Sequence, residues 1–212
     1  RTASDPPAST GKAPSRLTLI LAELRVNPAA RFAVIAILTA QVVMVAIMTM
    51  TPVHIAHQGG SITIVGITIS LHILGMFALS PLVGYFADRY GHRPTIGAGI
   101  VILFASLVTS ALKPEDTSWI MVSLTLLGVG WSFVNVAASA LFSSVISDQI
   151  RASSQGGVDA LSNLCGATAA LAAGPLLAAT SFSALSVIAM AVLAPLVLLT
   201  ARRPAGIAGP SQ

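Results

Sequence analysis

Long runs without a charged residue constrain this chain more than any other feature of its sequence. No Asp, Glu, Lys or Arg occurs in residues 32–87, and none occurs in residues 94–112. A third uncharged run covers residues 160–201. A helix needs about 20 apolar residues to cross the hydrocarbon core of a bilayer. Because each run provides at least one stretch of about that length, we predict that the chain crosses a membrane several times.

The overall composition supports an integral membrane protein. Hydrophobic residues make up 55% of the chain and charged residues only 8%, whereas soluble domains carry roughly 25% charged residues. The net charge is +4, but the basic residues occur singly or in pairs at segment ends. We therefore expect no nucleic-acid partner. Cys165 is the single cysteine and no Cys/His metal spacing is present, so no disulfide, metal or cofactor is expected.

Six segments have the length of a membrane span. They are residues 31–53, 62–86, 94–112, 118–146, 158–179 and 183–201. Their apolar runs are continuous and lack the alternation of a membrane β-barrel, which favours helices. The predicted fold is therefore all-α, a polytopic membrane protein whose bundle of six transmembrane helices occupies residues 31–203.

The segments outside the bundle are polar, and the basic residues indicate its orientation. An even number of spans places both termini on the same side of the membrane. The termini and the connections on that side contain ten of the eleven Lys and Arg residues, and only Lys113 lies on the other side. Because basic loops stay in the cytoplasm, we expect both the linker at 1–30 and the tail at 204–212 on the cytoplasmic side of the cell membrane.

Four apolar residues at helical spacing predict a short amphipathic surface helix in the linker: Leu17, Ile20, Leu21 and Leu24.

The charged turn between the second and third predicted spans has a distinctive spacing. Residues 84–93 read Gly-x-x-x-Asp-Arg-x-Gly-x-Arg. This pattern resembles the loop between the second and third helices in a half of a Major Facilitator Superfamily permease. The basic linker with its surface helix resembles the central loop that joins the two halves. The resemblance implies the carboxyl-terminal six-helix half of a twelve-helix permease, with a preceding six-helix half as its partner.

The resemblance implies that this turn is a conformational latch, which holds one state and releases as the two halves rock. It assigns this role to Gly84, Asp88, Arg89, Gly91 and Arg93. His92 departs from the basic residue that is usual in the family, which puts that one contact in doubt.

The connection at 147–159 resembles the corresponding charged loop that leads into the fifth helix of such a half. Asp159 is then expected in the first turn of the fifth span. There it either receives Arg89 or Arg93 across the interface or simply complements the helix dipole.

Polar residues deep inside the predicted spans mark a candidate substrate pathway, because such side chains usually face a cavity or the bundle interior. They are Gln41, His72, Trp131, Asn135 and Asn163. For Gln41, Asn135 and Asn163, the alternative role is an interhelical hydrogen bond. For His72, the two possible roles are a proton relay and a hydrogen-bonded contact between helices. No Asp or Glu lies deep in a span, so we expect a proton-coupling carboxylate in the partner half.

The expected function is secondary transport of a small solute by alternating access, without covalent chemistry and hence not enzymatic. Gly174 and Pro175 in the fifth span loosely resemble the antiporter signature of facilitator exporters, which favours proton-coupled efflux. An uptake permease and a self-contained six-helix channel or scaffold remain alternatives. An intramembrane protease is disfavoured, because no serine has the required glycine-rich setting and paired intramembrane aspartates are missing.

Overall fold

The computed structural model describes residues 24–201, and helices account for most of them. Seven helices follow Asn27: α1 (Pro28–His57), α2 (Ile62–Phe77), α3 (Ser80–Tyr90), α4 (His92–Leu112), α5 (Thr117–Val145), α6 (Asp148–Ala179) and α7 (Phe182–Ala201). Helices α2 and α3 together form one span, so the described residues contain six spans that are long and apolar enough to cross a membrane. The predicted all-α fold with six transmembrane helices is confirmed. The tail at 204–212 lies outside the described residues, and so does the predicted surface helix apart from Leu24, which is helical.

Short turns connect the spans at alternate ends of the bundle. We call the end with the turns at Gly91 and 146–147 the basic end, and the end with the turns at 58–61, 113–116 and 180–181 the opposite end. These connections leave successive spans antiparallel, as the short charged turns in the sequence predict.

Asn27 fixes the start of α1 at the basic end. Its Oδ1 accepts hydrogen bonds from the amides of Ala29 and Ala30, at 3.0 and 3.2 Å. Its Nδ2 donates to the carbonyl oxygen of Val145, at 3.1 Å, in the last turn of α5. One side chain therefore caps the first turn of α1 and satisfies a carbonyl that the end of α5 would otherwise leave without a partner.

Helices α1 and α5 form the centre of the bundle. Helix α5 packs against α1, α2 and α4, and α1 also packs against α6 and α7. The burial of the most apolar 18-residue stretch differs between the spans. Half of this stretch is buried in α1 and in α5, but only 22% in the second span and 17% in α6. The second span and α6 therefore flank the centre and leave most of their surface open within this chain.

Small residues and paired serines hold α5 close to its neighbours. A Cβ at Gly130 would lie 2.8 Å from the backbone nitrogen of Leu103 in α4, so only glycine allows this approach. Ser106 and Ser123 each donate to the other's backbone carbonyl, at 2.7 and 2.9 Å. Small side chains and interhelical hydrogen bonds of this kind are the usual means of packing helices in lipid.

The second span contains a break that the sequence prediction missed. The prediction was one continuous helix at 62–86, whereas α2 ends at Phe77, a turn occupies 78–79 and α3 continues to Tyr90. Pro81 lies in the first turn of α3. Because proline has no N–H and its ring crowds the preceding turn, a helix does not run through it without distortion.

The start of the fifth span also differs from the prediction. Helix α6 begins at Asp148, so the expected connection at 147–159 is helical almost throughout, and the expected place of Asp159 in the first turn was wrong. Asp148 occupies the first turn instead. Arg151 forms a 2.5 Å salt bridge with it and donates to the carbonyl oxygen of Ile146, at 3.3 Å. This local pairing supports an early helix start that apolar periodicity does not reveal.

Candidate functional site

The charged turn at the basic end is a single-residue reversal. Gly91 alone separates the end of α3 from the start of α4, with φ at +94°. Residues with a side chain rarely adopt this conformation, so the turn requires glycine. The hydroxyl of Thr95 donates to the carbonyl oxygen of Gly91, at 2.9 Å, and supports the first turn of α4.

The predicted latch residues do not form a charged network within residues 24–201. In that part of the chain the sole salt bridge is the one between Arg151 and Asp148. Asp88 and Arg89 are both exposed, and the guanidinium of Arg89 lies 5.8 Å from the ring centroid of Tyr90. Both charges are therefore available at the surface of the basic end.

Arg93 connects two spans at the basic end. Its guanidinium carbon lies 4.9 Å from the ring centroid of Phe32. Phe32 is buried in the second turn of α1, and Arg93 is the second residue of α4. A guanidinium over an aromatic face at this distance is an attractive cation–π contact, so Arg93 links the starts of α1 and α4.

Asp159 and Gly84 do not meet the partners that the sequence suggested for them within this chain. Asp159 is exposed and accepts a 3.3 Å hydrogen bond from Nε2 of Gln155, one turn earlier in α6. No salt bridge joins it to Arg89 or Arg93. A Cβ at Gly84 would meet nothing within 4 Å among the described residues, so the close backbone approach expected at this glycine is not made from within the described part of the chain.

Two of the five candidate pathway residues contact each other in the centre of the bundle. The indole nitrogen of Trp131 in α5 donates to Oε1 of Gln41 in α1, at 2.9 Å. Gly166 of α6 lies against the same amide, because a Cβ there would be 3.3 Å from both Cγ and Nε2 of Gln41. The ring of Phe77 stands edge-on to Trp131, with centroids 6.3 Å apart. Residues from four helices therefore surround this amide and indole.

Phe77 was not among the predicted pathway residues. It is the last residue of α2 and lies at the break in the second span. Pro81 was the available signal for that break, because a proline in the first turn of a helix often marks its start.

His72 lies in the buried interface between α2 and α5. Its Nδ1 is 2.8 Å from the carbonyl oxygen of Leu124. Because a carbonyl can only accept, Nδ1 carries the proton in this bond. Its Nε2 is buried and has no hydrogen-bond partner among the described residues. This geometry corresponds to the helix contact that was one of the two roles expected for His72.

Asn135 and Asn163 extend the polar surface away from Gln41. Asn135 is half-buried and follows Trp131 by four residues, which places it on the same face of α5. Asn163 is exposed near the middle of α6, three residues before Gly166. Neither side chain makes a hydrogen bond within the part of the chain that the structure describes, so both amides are free to bind other groups there.

A second polar cluster closes the opposite end of the bundle. The carbonyl oxygen of Pro114 lies 2.7 Å from Nε2 of His54 and accepts a hydrogen bond from Nε2 of Gln58, also at 2.7 Å. The imidazole of His54 stacks on Phe182 with centroids 4.3 Å apart. The cluster therefore ties α1 to the turn before α5 and to the start of α7. No group of three or more His, Cys, Asp or Glu residues that could hold a metal occurs in residues 24–201.

Comparison with known proteins identifies the family. The sequence model of the Major Facilitator Superfamily matches residues 32–211. The chain belongs to the Major Facilitator Superfamily. This match confirms the family resemblance first seen in the turn at 84–93. It covers all six spans of the chain.

Its curated relatives include two uncharacterised MFS-type transporters of Bacillus subtilis (strain 168). YddS is 40% identical over 156 residues, which are 73% of this chain and 36% of YddS. YdeG is 38% identical over 149 residues, which are 70% of this chain and 35% of YdeG. The riboflavin transporter RfnT of Brucella anthropi is 28% identical over 84% of this chain and 46% of its own length. The superfamily member described here therefore spans less than half the length of each of these relatives.

A solved structure shows the same fold. The crystal structure of an auto-inhibited POT family peptide transporter matches with a TM-score of 0.56 and 19% identity. The match covers 85% of this chain and 40% of the peptide transporter. At this identity the likeness concerns the fold alone.

Proposed function

We propose that this chain forms one six-helix half of a secondary transporter, which moves a small solute across the cell membrane by alternating access against a second half. The uneven burial of its spans carries the proposal. In the most apolar 18-residue stretch of each span, 22% of the second span and 17% of α6 is buried, less than half the share in α1 and α5. In a family whose members this chain matches over only 35–46% of their length, two such open spans are the surface that a second bundle would cover.

The chemistry of the open spans favours a protein neighbour over lipid. Asn163 is exposed near the middle of α6, and an amide in the hydrocarbon region is costly unless it faces a cavity or another helix. A Cβ at Gly66 or Gly174 would meet nothing within 4 Å. Glycines on an exposed helix face allow another backbone to approach closely. Both features suit a helix bundle that packs across this surface.

In that assembly the turn at 84–93 serves as the latch. Gly84 leaves open space on α3, and Asp88 is exposed one turn later. A helix of the second half can therefore approach Gly84 and direct the positive end of its dipole toward the Asp88 carboxylate. Arg89 is exposed beside Asp88, and Asp159 is exposed in the half of α6 nearer the basic end. Both provide further charges for contacts that form in one state and break in the other.

The proposed transport is efflux coupled to protons. With the basic end in the cytoplasm, both termini are cytoplasmic. Among residues 24–201, Asp88, Glu115, Asp116 and Asp148 lie in turns or at helix ends, and Asp159 lies eleven residues into α6, one turn before Asn163. None of these carboxylates is buried within the described chain, so the second half supplies the carboxylate that couples transport to protons. Gly174 and Pro175, near the opposite end of α6, support efflux over uptake.

The test compares everted membrane vesicles that contain this chain alone with vesicles that also contain a preceding six-helix half. A pH-sensitive dye inside the vesicles reports proton movement when a solute is added. Solute-dependent proton movement is expected only with both halves. Transport by this chain alone would contradict the half-transporter proposal and favour a self-contained channel. Transport without proton movement would contradict the coupling.

A further inference from the structure

We propose that Gln41 and Trp131 form part of the substrate site, and that the part of the substrate they hold is an uncharged planar ring with a hydrogen-bond acceptor. This inference rests on the proposed transport function and adds the chemical class of the solute. It depends on three features of the site: the orientation of the Gln41 amide, the open aromatic surface beside it and the absence of nearby charge.

The orientation of the Gln41 amide follows from its partner. An indole N–H can only donate, so the atom that faces Nε1 of Trp131 at 2.9 Å must be the carbonyl oxygen of Gln41. The amide nitrogen then points away with two hydrogens. Within residues 24–201 it donates to no other group, and it is not among the buried polar atoms that lack a partner. It packs against Gly166 but keeps some accessible surface, so an N–H of this amide suits a carbonyl oxygen or a ring nitrogen.

The aromatic groups beside this amide retain open surface. Phe77 is 61% exposed, and Trp131 is half-buried. Their rings meet in an edge-to-face contact at 72° with centroids 6.3 Å apart, so the contact uses the edge of one ring and does not stack the two rings face to face. Aromatic faces and edges left open in this way bind planar rings by stacking and edge contacts.

Charged residues are distant from the pair in the described structure. Helices α2 and α5 contain no Asp, Glu, Lys or Arg, and the only such residue in α1 is Arg31, in its first turn. The nearest carboxylate along α6 is Asp159, seven residues before Gly166, which is roughly 10 Å along the helix axis. An ionic group held at Gln41 would lose its hydration without gaining a counter-charge from this half. The chemistry of the site therefore selects an uncharged group.

Gly166 makes the position of the amide sensitive to a single methyl group. A Cβ at Gly166 would lie 3.3 Å from Nε2 of Gln41 and 3.2 Å from Cγ2 of Val45, both tighter than most such contacts. Alanine at this position would therefore displace the amide. Gly156 lies ten residues earlier in α6, where a Cβ would meet nothing within 4 Å. Gly156→Ala is thus a matched control on the same helix.

The experiment measures binding of three tricyclic probes of similar size to the complete transporter in lipid nanodiscs. Acridone is neutral with one carbonyl acceptor, proflavine is cationic and anthracene-9-carboxylate is anionic.

The fluorescence of Trp131 reports binding. The chain has two tryptophans; Trp119→Phe removes the one at the opposite end, so that Trp131 is this chain's only tryptophan. Where the companion half has tryptophans of its own, they are replaced as well. Saturable quenching of Trp131 emission reports occupancy of the site.

We expect acridone to quench Trp131 with at least about tenfold higher affinity than either ion. Gln41→Met should weaken acridone binding by about tenfold, as expected for one lost hydrogen bond. Gly166→Ala should weaken it as well, and Gly156→Ala should leave it unchanged. Far-ultraviolet circular dichroism and size-exclusion profiles verify that each variant is folded.

Tighter binding of proflavine or anthracene-9-carboxylate, or no quenching by acridone, would overturn the proposed substrate class. Equal losses in Gly166→Ala and Gly156→Ala would overturn the site, because they would indicate a general effect on α6. Solute-dependent transport by the same protein without acridone binding would reject the class and leave the transport function standing. Acridone binding without movement of any solute would instead reject the transport function.

Discussion

The carbonyl oxygen of Leu124 accepts a 2.8 Å hydrogen bond from Nδ1 of His72, across the interface between α2 and α5. Two glycines make this bond possible. A Cβ at Gly128 would overlap the backbone carbonyl of His72, and a Cβ at Gly75 would lie 2.9 Å from the carbonyl oxygen of Thr125. The glycines bring the two backbones close enough for the imidazole to reach a main-chain carbonyl of the neighbouring helix.

The first prediction concerns Gly128. Gly128→Ala should lower the free energy of unfolding by about 1–3 kcal/mol, because the new methyl group would force α2 and α5 apart. Unfolding in mixed detergent micelles, followed by circular dichroism, measures the change. Gly66→Ala is the control, since open space surrounds Gly66 in α2 and alanine is the better helix former by up to about 1 kcal/mol. Equal stability of the two variants would contradict the close contact.

The second prediction concerns the reciprocal serine pair of α4 and α5. Ser106→Ala and Ser123→Ala should each cost about 0.6–1.7 kcal/mol, the range of interhelical hydrogen bonds in membrane proteins. The double variant should cost less than the sum, because both hydroxyls are part of one reciprocal contact. A double-mutant cycle on the same unfolding curves measures this, with exposed Ser70→Ala as a neutral control. Strict additivity would show that the serines act independently.

The third prediction tests the latch. Asp88→Asn should slow transport by at least about tenfold, which corresponds to the loss of one charge-assisted contact of about 1.4 kcal/mol or more. Stability of the isolated chain should stay unchanged, because Asp88 is exposed and makes no salt bridge within residues 24–201. Vesicle transport rates and unfolding curves are compared. Asp148→Asn is the matched control, as it removes a carboxylate at the same end that pairs locally with Arg151. A folded Asp88→Asn protein with normal transport would reject the latch.

The sequence predicted the number of spans because charged residues and tight turns separate them. The sequence prediction failed at two helix ends, the break within the second span and the start of α6. At Pro81 the cue for a helix break was present but was not used. At Asp148 the helix starts at an acidic residue that pairs with Arg151, a signal that apolar periodicity does not report.

The candidate site was only partly predictable. Gln41 and Trp131 were recognisable as polar groups inside apolar spans, but they are 90 residues apart in sequence. Their contact depends on how α1 and α5 pack against each other. The neighbourhood of Gly166 depends on the same packing, so no sequence pattern alone could assign these residues to one cluster.

The proposed arrangement depends on six crossings that leave the basic end in the cytoplasm. Cysteine labelling measures this most directly, in a protein whose own Cys165 is replaced by serine. Lys113 and Arg89 are exposed at opposite ends of the bundle. A membrane-impermeant maleimide should label Lys113→Cys on intact cells, and should label Arg89→Cys only after the cells are permeabilised. Labelling of both positions on intact cells, or labelling of Arg89→Cys alone, would contradict the arrangement.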